Sequence, residues 1–148
     1  MDKLNVKMKK LNPDAVVPTF GTEFSAGADL YALPGDDIVI PAHATVMIHT
    51  GLSMEIPEGY AGLIFARSGL ASKRGLAPAN KVGVVDPDYR GEFMVALHNH
   101  TDEEKTVAGG ERVAQLVIVP FITADFEVAD ELSDTVRGEG GFGSTGTK

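Results

Sequence analysis

Carboxylates, arginines and small residues occur together in several stretches of this chain, a combination suited to binding an anionic ligand. In residues 25–31, SAGADLY, small residues allow close approach to the backbone, and Asp29 lies between apolar neighbours. Taken alone, Asp29 is more typical of a turn than of a binding site. In residues 66–70, ARSGL, Arg67, the Ser68 hydroxyl and the N–H groups that open a short helix could bind an anion. The alternative is a capped surface helix with a solvated arginine.

A third stretch, residues 80–91, places two carboxylates at the end of an apolar strand. Its sequence, NKVGVVDPDYRG, runs into Asp86 and Asp88 on either side of a proline, which is a strong turn signal. One carboxylate could act as a base in this position, and an ordinary hairpin turn is the alternative. A calcium site formed by this pair is disfavoured, because a calcium loop needs further oxygen ligands at set spacing.

The C-terminal residues 137–148, RGEGGFGSTGTK, have the composition of a disordered segment, with Phe142 as their one large apolar side chain. Such a segment cannot build a core. Its glycines could instead let backbone N–H groups surround a phosphate, while Arg137 and Phe142 offer flat stacking surfaces. The segment is not a nucleotide-binding P-loop, because the lysine, the preceding strand and the following helix are all missing.

Composition and charge limit the classes of protein to which the chain can belong. Its 148 residues predict one domain, and 43% hydrophobic with 23% charged residues is typical of a globular protein. The absence of cysteine excludes disulfides, thiol nucleophiles and cysteine-ligated zinc. A net charge of −8 disfavours a broad nucleic-acid-binding face but permits a small anionic ligand on a local arginine cluster. With neither a signal sequence nor a long apolar run, we expect no membrane partner and a cytoplasmic location.

Short alternating or apolar runs separated by Gly, Pro and Asp recur along the chain, a pattern typical of an all-β sandwich or barrel. Only residues 68–74 could form a helix, of two turns at most. The His98-Asn99-His100 run is interpreted as structural, because no third metal ligand is evident. The predicted strands cover residues 4–11, 37–40, 45–50, 52–56, 60–65, 82–85, 92–98, 105–107, 112–119 and 126–128.

Taken in order, these stretches resemble the five sequence motifs of the trimeric deoxyuridine triphosphatase (dUTPase) family. The match covers residues 26–146, and five motifs in order at family-like spacing form a specific signal. The matching stretches are AGADL from residue 26, ARSG from residue 66, N-x5-D-x-DYRG from residue 80, GERVAQ from residue 110 and RGEGGFGSTG from residue 137.

The resemblance implies a fold, an activity and an assembly. The implied fold is a β jelly roll over residues 1–136, with residues 137–148 as a mobile arm that closes over the active site. The implied activity is hydrolysis of dUTP to dUMP and pyrophosphate with Mg²⁺. The implied assembly is a homotrimer with three sites at its subunit interfaces, each built from three chains.

The resemblance also implies a role for each motif. Asp86 would orient and deprotonate the attacking water, and Asp29 would support, through water, a Mg²⁺ held mainly by the substrate phosphates. Because an aspartate carboxylate is a weak base, positioning the water is its main expected contribution. The expected substrate-binding residues are Arg67, Ser68, Gly69 and Gln115 at the phosphates, Asn80 and Val85 at uracil, Tyr89 against the deoxyribose, Phe142 on the uracil ring, and Arg137, Gly143, Ser144 and Thr145 closing over the phosphates.

Two other functions remain open on the sequence. The related dCTP deaminases share the jelly roll, but they need a glutamate acid/base beside the cytosine and lack the glycine-rich tail. A nucleotide-binding or capsid-like jelly roll without turnover is the non-enzymatic alternative, although such a scaffold does not require Asp86, Tyr89 or the tail.

Overall fold

The computed structural model describes residues 2–148, which form short strands and a single helix. Every strand pair is antiparallel, so the all-β prediction is confirmed. The elements are β1 (Lys7–Lys10), β2 (Thr19–Phe20), β3 (Ala28–Tyr31), β4 (Ile38–Ile40), β5 (Thr45–His49), β6 (Leu52–Glu55), β7 (Tyr60–Phe65), α1 (Ser68–Arg74), β8 (Leu76–Pro78), β9 (Gly83–Val85), β10 (Met94–Asn99), β11 (Lys105–Val107) and β12 (Arg112–Pro120).

A five-stranded sheet in the order β2-β3-β12-β7-β9 is the largest of four sheets in the described chain. The others are β5-β10-β8, β1-β6 and β11-β4. A single hydrophobic cluster draws side chains from all of them, including Leu30 and Val113 of the large sheet and Ile48 and Leu97 of the three-stranded sheet. The sheets therefore enclose one core, as expected for a single domain.

Alternation along the strands decides which side chains stay outside this core, because successive residues of a strand point to opposite faces. In β3, Ala28 and Leu30 are buried, whereas Asp29 and Tyr31 lie on the outer face. The pattern in β12 places Gln115 on that same face. The large sheet thus keeps apolar residues inside and presents polar residues of two motifs outside.

The His98-Asn99-His100 run serves the fold. The buried Asn99 amide donates to the backbone oxygens of Ile40 (3.0 Å) and Glu103 (2.7 Å), which ties three segments together. His98 Nδ1 lies 2.9 Å from Thr45 Oγ1 on the paired strand. Within residues 2–148, no group of three or more His, Cys, Asp or Glu side chains is placed to hold a metal ion. The hydrogen bonds of Asn99 and His98 agree with the structural interpretation.

The predicted elements agree with the observed ones except in four places. Residues 126–128 form no strand, so that prediction is wrong; their large apolar side chains, Phe126 and Val128, are exposed and have no neighbouring strand. Three strands were missed: the two-residue β2, the proline-containing β8 and β3. The turn interpretation of Asp29 is also wrong, because its small neighbours pack against β12 as part of a sheet.

The chain leaves the sheet after Pro120, and residues 121–148 contain neither helix nor strand. One backbone hydrogen bond, from Phe121 N to Gly59 O at 3.0 Å, anchors the start of this segment. Phe121 is partly exposed, and the large apolar side chains after it are almost fully exposed, namely Ile122, Phe126, Val128, Leu132, Val136 and Phe142. The arm boundary at residues 136 and 137 stays a prediction. The chain between residues 2 and 148 contains no helix of the length and apolarity that crossing a bilayer requires.

Ending the chain before Arg137 should leave the fold intact, because residues 137–148 contribute nothing to the buried core. We expect the thermal midpoint to stay within about 2 °C of the full-length value, since surface changes cost little. The circular dichroism spectrum should also be unchanged. A large fall in the thermal midpoint would contradict this view of the segment.

Candidate active site

One row across the large sheet brings together residues from three of the motifs. Asp29 on β3 lies opposite Gln115 on β12, and Gln115 lies opposite Phe65 at the end of β7. Arg67 follows Phe65 by two residues and immediately precedes α1. Antiparallel pairing therefore places side chains that are far apart in sequence within reach of one another.

The charges in this row are held by direct contacts. Arg67 donates from Nε to Asp29 Oδ1 at 2.9 Å, and Arg112 donates from Nη1 to Asp29 Oδ2 at 3.4 Å. The Asp29 side chain is only 15% exposed. Gln115 donates from Nε2 to the Ala66 carbonyl at 2.8 Å, next to Arg67. Because two guanidinium groups face one carboxylate, the row keeps a surplus positive charge that suits an anion.

A glycine makes room for this arrangement. A Cβ added to Gly27 would lie 2.3 Å from Gln115 Oε1, far closer than two such atoms can approach. Position 27 in the first motif therefore has to be glycine, because the Gln115 side chain of the fourth motif occupies the space that a Cβ would need. This requirement gives a physical reason for the AGADL sequence.

The start of α1 is open to a ligand. Arg67, the residue before the helix, has extended backbone angles and forms no side-chain cap, and Ser68 and Gly69 are exposed. At the other end, Arg74 donates to Glu111 and to the Thr106 carbonyl. The helix is thus anchored at its C-terminus to the segment that leads into β12, while its N-terminus faces the Asp29 row.

A second cluster lies at the turn after β9. Tyr89 N donates to Asp86 O at 3.2 Å, which closes the turn, and the Tyr89 hydroxyl donates to Glu92 O at 2.8 Å. A Cβ on Gly91 would lie 2.4 Å from the Tyr89 hydroxyl oxygen, so the ring packs against the glycine. The Asp86 side chain is exposed at an open cavity of about 770 Å³. The turn therefore holds the Tyr89 ring in place and leaves the Asp86 carboxylate, three residues earlier, exposed.

The two expected uracil-binding residues lie at opposite ends of β9. Asn80 lies in the tight turn before the strand, and its Nδ2 is 3.3 Å from the position of a Cβ on Gly83. The Val85 side chain is half-buried and packs against the core. The backbone of Val85, rather than its side chain, is therefore the part available to a ligand.

These two clusters are far apart within one chain. Val85 pairs with Gly62, so the next residue, Asp86, is level with Ala61, whereas Gln115 pairs with Phe65. The clusters therefore differ by four residues of β7, or about 13 Å, along the strands. Asp29 on β3 is three strand positions from β9, or about 14 Å across the sheet. The separation between Asp29 and Asp86 is therefore about 20 Å.

The hydrogen bonds of residues 137–148 reach neither cluster. Arg137 donates from Nε to Gly140 O at 2.7 Å, and Ser144 N donates to Gly141 O at 3.0 Å, so these contacts are local turns. Phe142 is fully exposed, and Gly143 next to it has a positive φ of 86°. The chain thus brings Asp29, Arg67 and Gln115 together, holds Asp86 and Tyr89 together elsewhere, and leaves the residues of the fifth motif, including Thr145, in a separate segment.

Comparison with known proteins decides the family. A family model described as dUTPase matches residues 14–146. The chain belongs to the dUTPase family. It is 42% identical over 146 residues to the deoxyuridine 5'-triphosphate nucleotidohydrolase of Syntrophotalea carbinolica, a match covering 99% of each chain. It is 46% identical over 143 residues to the protein of the same name in Nautilia profundicola, covering 97% of this chain and 99% of the relative.

Solved structures agree with this assignment. The dUTPase of Staphylococcus bacteriophage 80alpha with dUPNHPP superposes with a TM-score of 0.89 at 29% identity, covering 98% of this chain and 100% of the phage chain. A mutant dUTPase of phage phi11 of S. aureus, described with a structural Mg(II) ion, gives a TM-score of 0.78 at 25% identity, over 86% and 98% of the two chains. The predicted family, jelly-roll fold and hydrolase class are confirmed.

The predicted site residues do not include three contributors to these clusters. Glu111 anchors α1 through Arg74, and Arg112 contacts Asp29. The carboxylate of Glu92 lies 2.9 Å from His49 Nδ1, next to the turn that holds Tyr89. The arginine and glutamate in GERVAQ were a visible signal, because a charged pair directly before an apolar strand has to find partners.

Replacing Gly27 by alanine should displace Gln115 and weaken binding of the triphosphate. We expect KM for dUTP to rise about tenfold or more, the effect of losing a hydrogen bond to a charged group. Gly21→Ala is the matched control, because a Cβ there would meet only Ser25 Oγ, at an ordinary 3.7 Å. Steady-state kinetics give KM for dUTP in both variants. Equal KM values would contradict a contact between Gln115 and the triphosphate.

Proposed function

We propose that this chain hydrolyses dUTP to dUMP and pyrophosphate by attack of water at the α-phosphate. The observation that carries the proposal is the row of Asp29, Arg67 and Gln115, which keeps surplus positive charge beside the open start of α1 in a chain of the dUTPase family. Such an activity limits uracil incorporation into DNA and supplies dUMP for thymidylate synthesis.

Phosphate binding is assigned to the outer face of the large sheet. Arg67 supplies a guanidinium with directional N–H donors, a group suited to phosphate oxygens. The Ser68 hydroxyl and the N–H of Gly69 add donors at the exposed start of α1. Gln115, held beside Arg67 by the Ala66 carbonyl, adds an amide. These groups stabilise negative charge on the leaving pyrophosphate.

Magnesium fits this site as an ion carried by the substrate. Both oxygens of Asp29 face arginine, and residues 2–148 contain no group of three potential ligands that could hold a metal by themselves. The triphosphate oxygens would therefore supply most of the coordination, and Asp29 would act through an ordered water. When bound, Mg²⁺ supplies neutralisation of charge on the phosphates.

The turn after β9 is assigned to the nucleoside and to the attacking water. The exposed carboxylate of Asp86 orients a water molecule and accepts its proton, which is general-base catalysis. The Tyr89 ring, fixed by its hydrogen bond to Glu92 O, packs against the deoxyribose and leaves no room for a 2′-hydroxyl. Asn80 and the backbone at Val85 read the pairing edge of uracil. A base with the reversed donor pattern leaves buried groups unpaired there.

We assign the complete site to a homotrimer in which chains share each site. Asp86 must lie within a few ångströms of the α-phosphate. The β- and γ-phosphates are attached next to it, so the Asp29 row that binds them must also lie close to Asp86. The separation of about 20 Å between Asp86 and Asp29 in one chain is too great for both to serve one triphosphate. If neighbouring chains contact each other through their large sheets, Asp86 of one chain can lie beside the Asp29 row of another, and both can then serve one triphosphate. Leu63, Val84 and Val117 form an apolar stripe on the outer face that such an interface would cover.

The arm is assigned to the third contributing chain. Phe142 stacks on the uracil ring, a contact worth about 1–3 kcal/mol by analogy with base stacking on aromatic residues. Arg137, Gly143, Ser144 and Thr145 close over the phosphates and exclude bulk water. The exposed apolar side chains between residues 121 and 136 support a path across a neighbouring chain. The cytoplasmic location and the lack of a nucleic-acid partner remain predictions.

Replacing Asp86 by asparagine should abolish most turnover while leaving binding intact. We expect kcat for dUTP to fall at least about 100-fold, the low end for loss of a general base, with little change in the affinity for dUPNHPP. Asp88→Asn is the matched control, since it removes a carboxylate from the same turn. Release of pyrophosphate is followed in both. Wild-type turnover in Asp86→Asn would remove this residue from the mechanism, and ammonia released from dCTP would support the deaminase alternative instead.

Two inactive variants should restore each other if the base and the arm of one site come from different chains. One variant is Asp86→Asn with an intact arm, and the other ends before Arg137 with an intact Asp86. Both are unfolded, mixed equally and refolded. Random assembly in a closed threefold ring makes about a quarter of the sites competent, so turnover should reappear. Trimers are confirmed by light scattering, and chain exchange by mass spectrometry. A mixture no more active than the separately refolded variants would refute site sharing.

A further inference from the structure

A β-bulge at the start of β12 determines where Arg112 points. Arg112 pairs with Tyr31 and Ala114 pairs with Leu30, so β12 contains one extra residue at this point. Val113 and Ala114 are neighbours in sequence and both fully buried, which a regular strand that alternates between two faces would not produce. Bulges commonly redirect a side chain near a functional site.

Without the extra residue, Arg112 would lie on the wrong side of the sheet. A regular ladder would place it opposite Ala32, which is completely buried. Residues directly opposite in an antiparallel pair share a face, so the guanidinium would then point toward the core. The bulge moves Arg112 opposite Tyr31, on the outer face that carries Asp29.

On that face, Arg112 and Arg67 both form ion pairs with the Asp29 carboxylate. Arg67 contacts Asp29 Oδ1 and Arg112 contacts Oδ2, so each oxygen has its own guanidinium. If Asp29 had Arg67 as its only partner, its full negative charge would compete with a phosphate for that arginine. Sharing the carboxylate keeps Asp29 oriented while Arg67 stays available to the ligand.

We propose that Arg112 is a positioning residue for triphosphate binding: it holds the Asp29 carboxylate and thereby frees Arg67 for the phosphates. This inference rests on the function proposed above. It predicts an effect on affinity, because Arg112 acts through Asp29 and does not touch the reacting atoms. Loss of Arg112 therefore raises KM and leaves kcat almost unchanged.

The test compares Arg112→Gln and Arg112→Lys with Lys105→Gln as the matched control. Lys105 also forms an ion pair, with Glu103 at 3.7 Å, but on β11, which belongs to a different sheet from the Asp29 row. The measurements are the Kd of dUPNHPP with Mg²⁺ by calorimetry, kcat and KM for dUTP, and the thermal midpoint. We expect Arg112→Gln to raise Kd and KM about tenfold with kcat within about twofold, and Arg112→Lys to recover most of the loss. Lys105→Gln should behave as wild type.

A double-mutant cycle separates positioning from a general effect on the fold. In an Asp29→Asn background, Arg112→Gln should change the Kd of dUPNHPP by less than about twofold, because its partner is already gone. Full additivity of the two substitutions would overturn the proposal, as would an unchanged Kd in Arg112→Gln alone. A wild-type chain that neither binds dUPNHPP nor hydrolyses dUTP would instead contradict the proposed function itself.

Discussion

The pairing register of β3, β12 and β7 is the constraint on which the candidate site depends. It sets Asp29 opposite Gln115 and Gln115 opposite Phe65, and the chain then turns directly into Arg67. A slip of one residue in any pair would send that strand's outer side chains into the core. The buried apolar residues between them, such as Leu30 and Leu116, prevent such a slip, because they would have to enter water. Core packing and ligand binding are therefore fixed by the same ladder.

Local charge, rather than total charge, makes this surface suitable for an anion. The chain as a whole carries a charge of −8, yet the Asp29 row sets two guanidinium groups against one carboxylate. Long-range repulsion of a triphosphate by the acidic surface is screened beyond about 8 Å at physiological ionic strength. At contact distance the arginines dominate. A divalent cation bound to the phosphates lowers the remaining repulsion further.

Much of the fold was predictable because period-two alternation survives in the longer strands. Strand β7 and helix α1 were predicted with their observed bounds, since apolar runs and helix formers mark both. Strand β3 was not predicted, because it has only four residues and one of its two buried positions is an alanine, which carries little hydrophobic signal. The predicted strand at residues 126–128 failed because apolar residues form a strand only where another strand can pair with them. The bulge that redirects Arg112 left no trace in the sequence, since it depends on how β12 pairs with β3.

The motifs could be recognised from the sequence, but their distribution within the chain could not. Order along the sequence says nothing about the separation of about 20 Å between the Asp29 row and the Asp86 turn, which follows from strand order and register. Because of that separation, we propose that each site is shared between chains.

The most direct test is a crystal structure of the assembled protein with dUPNHPP and Mg²⁺. We predict that Tyr89 contacts the deoxyribose of the analogue from one chain, while Arg67 contacts its phosphates from another. A single chain that supplies both Tyr89 and Arg67 to the same analogue would contradict this prediction.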